Sequence, residues 1–287
     1  MGEIDLHTHS TASDGTLEPR ELVMAAKSAG LKALALTDHD TTSGLAEAVA
    51  AGRELDIEVI PGCELSVVYP QGHMHIVGLW LPVRAEQVQE KLSYLRQRRH
   101  SRNERILEKL RLQGIELDYS EVKELAGGVS IGRPHIAQAL MNRGSVASIA
   151  EAFDRFIGPE GSAYVPKDKL TPEEAIEILV REEATVILAH PYTLELDNQA
   201  LAGEVRRLKD LGLQGLEVFY PDHSSEQTAQ YLELCNRLGL LVSGGSDFHG
   251  SIKPDIALGS GRSGLALSLE HLTAMKRARR ERGQWTT

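Results

Sequence analysis

Cysteine, aromatic residues and long apolar runs are all scarce in this sequence of 287 residues. The only two cysteines, Cys63 and Cys235, cannot form the disulfide framework of a small secreted domain. The first ten residues are too polar for a secretory signal, so we expect a cytoplasmic protein. Charged residues, Gly or Pro interrupt every apolar run before the roughly 20 residues that span a bilayer, which excludes a membrane-spanning helix.

Positive charge is also in short supply. The chain has 31 basic against 41 acidic residues, a net charge of −10, so its surface as a whole repels nucleic acid and anionic membranes. We therefore expect no DNA-binding domain and no membrane partner, and the pattern indicates no particular oligomeric state. The basic residues 276–282 are expected to form a solvated helix end. With only 5% aromatic residues, recognition of a nucleotide base should be loose.

Seven short apolar runs alternate with amphipathic stretches, which predicts parallel strands joined by helices. The runs are residues 3–6, 33–37, 57–61, 74–79, 184–189, 215–219 and 240–243. The helical stretches between them are residues 19–29, 43–55, 172–182, 199–211 and 225–238. Thr171 before Pro172 is typical of a helix N-cap followed by proline at the first helical position. The alternation is typical of an α/β fold, a β/α barrel.

Residues 85–169 contain no strand signal and are far too many for an ordinary connection between a strand and a helix. Their periodicity predicts helices at about 85–112, 120–126, 134–142 and 148–156. Turns are expected at residues 127–132 and at Gly158-Pro159. We therefore expect two domains, a barrel made of residues 1–84 and 170–287 and a mainly helical, substrate-binding insertion over residues 85–169.

Histidine and carboxylate side chains lie at the ends of most of the predicted strands. In a β/α barrel these ends open onto one shared face, where catalytic groups converge. Six of the eleven histidines are placed in this way, which makes chance placement a poor explanation. The side chains expected at this face are His7, His9, Asp14, His39, Glu64, His75, His190, Asp247 and His249.

This combination of ligand types predicts a metal centre. Imidazole and carboxylate together suit Mn, Fe or Zn, and nine donors are more than one ion can use, so we expect two or three divalent ions. Mn is the expected metal, with Fe, Zn or Mg as alternatives. Asp38 and Asp40 are expected to orient nearby histidines rather than to bind metal.

The same positions carry a family resemblance. The segments DLHTHS (5–10), TDHD (37–40), GCE (62–64), AHP (189–191) and GSDFH (245–249) resemble the motifs of the PHP (polymerase and histidinol phosphatase) family, which is related to the amidohydrolases. The resemblance implies a distorted seven-stranded β/α barrel with a trinuclear centre, in which Glu64 bridges. It implies one ion at His7, His9, Glu64 and Asp247, a second at Glu64, His75 and His190, and a third at Asp14, His39 and His249.

The segments GRPH (132–135) and AYVP (163–166), together with the helical insertion, are similar to a bacterial subgroup of that family. Its members hydrolyse nucleoside 3′,5′-bisphosphates to 5′-mononucleotides and trim short RNA from the 5′ end. The resemblance implies a metal-dependent phosphoesterase that removes the 3′-phosphate of a substrate such as adenosine 3′,5′-bisphosphate by attack of a metal-bridging hydroxide. Asp247 and His223 are candidate catalytic residues that could protonate the leaving group.

A second group of residues is suited to binding phosphate. Residues 91–111 contain eight Lys or Arg against two acids, a local charge of +6, which favours an anionic substrate. The resemblance implies that this substrate is a small nucleotide, and it admits short RNA. Arg99 falls in the middle of an apolar helical stripe and Arg102 at its edge, which indicates a ligand or a buried acid as partner. Ser130, Arg133 and His135 lie in or next to a Gly-rich turn, a composition suited to a second phosphate.

Three other functions compete with the bisphosphate phosphatase. One is a 5′–3′ exoribonuclease, which differs mainly in its leaving group. A second is a phosphatase for a monoester such as histidinol phosphate, which the two separated groups of phosphate-binding candidates disfavour. The third is a noncatalytic PHP module of the kind found within replicative polymerases, which the full set of nine donors disfavours.

Overall fold

Seven strands form one sheet in the order of the chain, in a computed structural model that describes residues 2–126, 131–166, 168–262, 264–265 and 267–286. The strands are β1 (Ile4–Thr8), β2 (Ala33–Leu36), β3 (Glu58–Val67), β4 (Met74–Leu79), β5 (Thr185–Leu188), β6 (Gly215–Phe219) and β7 (Leu241–Gly244). The sheet curls until its two edge strands meet, where Thr8 forms a parallel bridge with Phe248. The prediction of a seven-stranded α/β barrel is therefore confirmed.

One strand departs from the parallel pattern that the sequence predicted. β4 is antiparallel to both β3 and β5, whereas the other neighbours in the sheet are parallel. The reason is the length of β3, which continues to Val67 and returns through residues 68–73 directly into β4. A short connection of this kind can only join antiparallel strands.

Helices follow most of the strands and also make up much of the segment between β4 and β5. They are α1 (Pro19–Ser28), α2 (Leu45–Leu55), α3 (Glu86–Arg111), α4 (Tyr119–Leu125), α5 (Arg133–Asn142), α6 (Ile149–Ala152), α7 (Pro172–Arg181), α8 (Asn198–Leu211), α9 (Ser225–Leu238) and α10 (Leu269–Glu281). The Thr171 hydroxyl accepts a hydrogen bond from the Glu174 amide and caps α7, as its sequence predicted. Within the described residues, no helix combines the length and the apolar character needed to cross a bilayer.

The chain divides into two compact units, Met1–Glu90 with Leu170–Thr287 and Lys91–Lys169. The first unit has a core to which the strands and α10 both contribute, with Leu6, Val77, Ile187 and Met275 among its members. Burial of these apolar side chains is the main stabilisation of a sheet that curls on itself.

One residue of the basic C-terminal segment is not solvated, contrary to the sequence prediction. Arg279 is fully buried, and its guanidinium lies 5.0 Å from the ring centre of Trp80. It donates to the carbonyls of Trp285 and Glu183 at 2.7 and 2.8 Å. These partners offset part of the cost of burying the charge.

The second unit contains its own apolar core. Ile106 and Leu110 of α3 pack with Ile136 and Leu140 of α5 and with Val165. A π-helical turn (Phe153–Ile157) continues α6, which matches the helix predicted over 148–156. Most of the turn predicted at 127–132 lies outside the described residues.

Candidate metal centre

The nine side chains expected at the barrel mouth come together in the first unit. Most lie at or after the carboxyl ends of their strands, as the sequence predicted. His75 instead lies near the start of β4, and because β4 runs in the opposite direction it pairs with Ser66 near the end of β3. The reversal of β4 therefore brings His75 to the same end of the sheet as the other donors.

Glu64 is the centre of this group and is fully buried. Its Oε1 lies 2.8 Å from Nδ1 of His75 and 2.9 Å from Nε2 of His190. Its Oε2 lies 3.0, 3.1 and 3.3 Å from ring nitrogens of His7, His39 and His9. One carboxylate thus faces imidazoles on both of its oxygens, as a bridging ligand would.

A second carboxylate extends the group towards β7. Oδ1 of Asp247 lies 3.0 Å from Nε2 of His9 and 3.7 Å from Nε2 of His7. On the outer side, Oδ1 of Asp14 lies 3.4 Å from Nε2 of His249, and its Oδ2 lies 3.9 Å from Nε2 of His39.

Four sets of these donors are compact enough to hold an ion, each with its ligand atoms within 4.8 Å of one another. The sets are His9, Asp14, His39 and His249; His7, Glu64 and His190; His7, His9 and Asp247; and His39, Glu64 and His75. Their overlap shows a continuous cluster in which neighbouring ions would share ligands.

The donor atoms fit a metal better than they fit one another. His9 is fully buried, and neither of its ring nitrogens makes a hydrogen bond of good geometry within the described part of the chain, although Nε2 lies 3.0 Å from Oδ1 of Asp247. Such an orphaned pair is costly unless a cation satisfies it. Two ligands that are each about 2.1 Å from one ion lie about 3.0–3.4 Å apart, and many separations around Glu64 are in this range.

The carboxylates strongly perturb the titration of their neighbours. Burial alone would lower the pKa of His9, but the carboxylates of Asp247 and Glu64 outweigh burial and raise it to about 9. Burial lowers the pKa of His39 to about 4, and Glu64 offsets only part of this effect. Burial would raise the pKa of Glu64, but the nearby imidazoles hold it well below its usual range. The centre therefore keeps anionic carboxylates in a buried position, which favours binding of cations.

Two of the nine residues have left-handed backbones, which are uncommon outside glycine. His190 has a φ of +24° and Asp247 a φ of +53°. Hydrogen bonds hold both: the His190 amide donates to Oε2 of Glu217 at 2.7 Å, and the Asp247 amide donates to the carbonyl of His7 at 2.9 Å. Backbone strain of this kind concentrates at functional sites.

Glu217 belongs to the centre but was missed by the sequence reasoning. It is buried in β6, and its Oε1 accepts a hydrogen bond from Nδ1 of His7 at 3.0 Å. This bond fixes the proton of neutral His7 on Nδ1 and leaves Nε2 free for a metal. The only sequence signal was one acid within the otherwise apolar run GLEVF.

The roles expected for Asp38 and Asp40 are wrong, because neither carboxylate hydrogen-bonds to an imidazole within the described residues. Asp38 accepts hydrogen bonds from the amide and hydroxyl of Ser10 at 2.8 and 2.7 Å and from the Ser13 hydroxyl at 2.6 Å. Asp40 accepts from the amide of Ser66 at 3.0 Å. Asp38 therefore holds the segment that follows β1, and Asp40 holds the end of β3.

His223, a candidate proton donor, lies beside the centre. Its ring packs against Tyr220 with ring centres 5.1 Å apart, and Tyr220 in turn packs against His190. Nδ1 of His223 donates to the carbonyl of Val218 at 2.9 Å, while Nε2 is buried with no hydrogen-bond partner among the described residues. The proton of neutral His223 is therefore on Nδ1.

The arginines expected to bind phosphate lie in the second unit. Arg102 is 5% exposed, and its Nε donates to the carbonyl of Val165 at 2.8 Å. Its Nη2 is buried and has no hydrogen-bond partner in the part of the chain that is described. Burial lowers the pKa of Arg102, and the positive charges of Arg133 and Arg99 lower it further. The sequence pattern placed Arg99 at the centre of the apolar stripe of α3. In the structure Arg102 is the buried residue, and Arg99 is partly exposed.

The remaining expected phosphate ligands surround the start of α5. Arg133 donates to the carbonyl of Ile157 at 3.1 Å, and Nδ1 of His135 accepts from the Gly132 amide at 3.0 Å. Ser130 lies outside the described residues. Arg99 and Arg133 thus lie close enough to Arg102 for their charges to lower its pKa. That these arginines bind substrate stays a prediction.

Comparison with known proteins gives a consistent result. The sequence profile of the PHP domain matches residues 5–198. The 5′-3′ exoribonuclease Rnm of Salmonella typhimurium strain LT2 is 34% identical over 251 residues, which cover 85% of this chain and 84% of that protein. The 3′,5′-nucleoside bisphosphate phosphatase of Chromobacterium violaceum is 32% identical over 257 residues, which cover 87% of this chain and 88% of that protein.

A solved structure supports the same grouping. A crystal structure from Bifidobacterium adolescentis, described as a metal-dependent phosphoesterase, superimposes with a TM-score of 0.73. The two chains are 29% identical, and the match covers 96% of each. Fold, donor set and sequence similarity therefore indicate the same type of enzyme.

Proposed function

The chain belongs to the PHP domain family and is a metal-dependent phosphoesterase, and from this premise we propose that it hydrolyses the 3′-phosphate of nucleoside 3′,5′-bisphosphates. The products are a 5′-mononucleotide and inorganic phosphate. The proposal rests on the arginine group formed by Arg99, Arg102 and Arg133. Nη2 of Arg102 is buried and has no hydrogen-bond partner among the described residues. A substrate with two phosphates needs such an anion site in addition to a metal centre.

The metal centre is assigned to the nine donors of the first unit. We propose three divalent ions, with Mn as the metal. They would be held by His7, His9, Glu64 and Asp247, by Glu64, His75 and His190, and by Asp14, His39 and His249, all of which belong to the compact donor sets. Divalent ions at these donors would activate water for attack on phosphorus and offset the charge of the phosphoryl oxygens. Fe, Zn and Mg are the alternatives to be compared in the same assays.

Access of substrate is proposed from the outer side of the cluster. The side chain of Asp14 is 54% exposed, and those of His39 and His75 are 24% and 22% exposed, whereas His7 and Glu64 are buried. Only the exposed donors can meet a phosphate ester that arrives from solvent. The buried donors hold the position of the centre instead.

The second phosphate is assigned to the arginine group. A buried N–H without a partner costs free energy, and a phosphate oxygen is the acceptor that best satisfies a guanidinium. We propose that Arg102 and Arg133 bind the 5′-phosphate with Arg99, Ser130 and His135. In this scheme the 3′-phosphate is the group that is hydrolysed.

Asp247 and His223 were both predicted to supply a proton to the leaving group. Oδ2 of Asp247 accepts hydrogen bonds from Tyr220 and Lys253, which suits a carboxylate that stays anionic. We therefore propose Asp247 as a metal ligand and retain His223 as the residue to test for proton transfer. Because a proton donor must be protonated, loss of the basic limb of the pH–rate profile in His223→Gln would support that role, and an unchanged profile would remove it.

The second candidate function is a 5′–3′ exoribonuclease acting on short RNA. The similarity to the Salmonella exoribonuclease favours it, and the same centre could cleave a phosphodiester next to a bound 5′-phosphate. We propose the cytoplasm as the location of the protein.

The test is an assay of the Mn-loaded protein against adenosine 3′,5′-bisphosphate, 3′-AMP, 5′-AMP, histidinol phosphate and a short 5′-phosphorylated RNA. We expect the bisphosphate to have the highest kcat/KM and to yield 5′-AMP. Preference for RNA would make the exoribonuclease the main function. Preference for histidinol phosphate would overturn the role of the arginine group, and inactivity on all of them would favour a noncatalytic module.

A further inference from the structure

The two oxygens of Asp247 face different partners. Oδ1 is turned towards the imidazoles, 3.0 Å from Nε2 of His9 and 3.5 Å from Nδ1 of His249. Oδ2 accepts hydrogen bonds from the hydroxyl of Tyr220 at 2.8 Å and from Nζ of Lys253 at 2.6 Å. Oδ1 is thus available to the metal centre, and Oδ2 holds the Lys253 ammonium beside that centre.

The backbone fixes Lys253 at this place. It follows a single 3₁₀ turn (Gly250–Ile252), in which the Ser251 amide donates to the hydroxyl of Thr16 at 3.0 Å. Gly250 has a φ of +71°, and a Cβ there would lie 2.0 Å from the Thr16 oxygen, so only glycine is accommodated. The turn that presents Lys253 is therefore specified by the sequence.

The ammonium is the exposed member of this group. The side chain of Lys253 is 37% exposed, that of Asp247 is 9% exposed, and Tyr220 is buried. A partly exposed ion pair contributes little to stability, so stability alone gives a weak reason for this lysine. A compact ammonium with three donors is well suited to a phosphate group, and this one lies next to the donors that bind metal.

We propose that Lys253 is a substrate-binding residue that contacts the phosphoryl group undergoing hydrolysis, and that Oδ2 of Asp247 holds its ammonium in place when no substrate is bound. This inference rests on the proposed function only in requiring a phosphate ester as substrate. It concerns the group that is hydrolysed, whereas the arginine group concerns the second phosphate.

The test compares Lys253→Met and Lys253→Arg with a matched control, Lys276→Met. Lys276 also pairs with a carboxylate at 2.6 Å, that of Glu58, but lies on α10, and within the described residues it forms no ion pair with any of the nine donors. We expect Lys253→Met to weaken binding of inorganic phosphate to the Mn-loaded protein by about 10- to 100-fold, measured by calorimetry. We expect kcat/KM for adenosine 3′,5′-bisphosphate to fall by about the same factor. Lys253→Arg should recover part of both losses, and Lys276→Met should leave both unchanged.

Metal content and a second variant separate substrate binding from an effect through Asp247. Tyr220→Phe removes one hydrogen bond to Oδ2 but no charge, and we expect it to leave phosphate binding within about twofold of wild type. Wild-type phosphate affinity in Lys253→Met would overturn the proposal, as would a loss that saturating Mn²⁺ restores. Failure of the wild-type protein to prefer a bisphosphate would overturn the proposed function alone, because phosphate binding does not depend on the nucleoside.

Discussion

Glu217 holds His7 from the side opposite to Glu64. Oε1 of Glu217 accepts from Nδ1 of His7 at 3.0 Å, and Oε2 of Glu64 lies 3.0 Å from Nε2 of the same ring. A carboxylate can only accept, so when the Nδ1–H of His7 donates to Glu217, a second proton or a bound cation is needed to offset the repulsion between Nε2 and Glu64. The second oxygen of Glu217 also fixes the strained amide of His190. One buried acid thus orients two donors of the centre.

Replacement of Glu217 by glutamine should weaken the centre without dismantling it. The amide oxygen of Glu217→Gln can still accept one hydrogen bond, but its NH₂ group cannot accept the second from the His190 amide. We expect Mn²⁺ affinity to fall by about 10- to 100-fold, measured by titration against a competing chelator. Glu54→Gln, on an exposed glutamate of the same unit, is the control. Unchanged affinity in Glu217→Gln would show that Glu217 only supports the fold.

Metal binding should release protons, with a defined pH dependence. The carboxylates of Asp247 and Glu64 overcome the opposing effect of burial and raise the pKa of His9 to about 9, so metal-free protein at pH 7 keeps a proton that a metal must displace. Apparent Mn²⁺ affinity should therefore rise from pH 7 towards pH 9. His39, with a pKa lowered to about 4, is already neutral and adds no proton in this range.

Calorimetry in buffers of different ionisation enthalpy measures this release directly. The heat of Mn²⁺ binding at pH 7 should vary linearly with the ionisation enthalpy, with a slope that corresponds to at least about one proton. A heat independent of the buffer would mean that His9 is neutral in the metal-free protein, contrary to its position between two carboxylates.

Asp14 and Arg99 should affect different kinetic constants. Asp14 is 54% exposed and faces His249 at 3.4 Å, so Asp14→Asn should fold normally but lower kcat by more than about 100-fold through loss of a metal ligand. Arg99→Ala should chiefly raise KM for substrates that carry a second phosphate. Steady-state kinetics with adenosine 3′,5′-bisphosphate and 3′-AMP distinguishes the two. Equal losses on both substrates in Arg99→Ala would remove Arg99 from the phosphate site.

The donors at the barrel mouth could be predicted from the sequence because they are local signals. Most of these histidines and acids lie within a few residues of an apolar run, and the ends of barrel strands open onto one shared face. The direction of β4 could not be predicted in the same way, because a histidine next to an apolar run does not show in which direction that strand runs in the sheet.

Residues that act through distant partners were beyond the sequence reasoning. Glu217 supports His7 across 210 positions of the chain, and no local pattern distinguishes it from an acid at the edge of a sheet. Lys253 is six residues from Asp247, but only the 3₁₀ turn brings the two side chains together. The apolar stripe of α3 placed Arg99 at its centre and Arg102 at its edge, whereas in the structure Arg102 is buried and Arg99 is partly exposed.

Arg102 provides the sharpest test of the second phosphate site. Its Nε donates to Val165 while its Nη2 is buried without a partner among the described residues. Arg102→Met should leave Tm almost unchanged, because loss of the bond to Val165 is offset by removal of an unpaired N–H. We expect kcat/KM for adenosine 3′,5′-bisphosphate to fall by about 10- to 100-fold, with 3′-AMP, which lacks the 5′-phosphate, changing by less than about twofold.

The matched control for this variant lies on the same helix. Arg98 is exposed and pairs with Asp168 at 3.1 Å, so Arg98→Met removes one positive charge from α3 without touching the buried guanidinium. If Arg98→Met and Arg102→Met reduce bisphosphate turnover equally, the basic helix acts through its overall charge. A loss confined to Arg102→Met, and only weakly dependent on salt, instead supports direct contact with the second phosphate, since salt screens buried charge pairs much less than distant exposed charges.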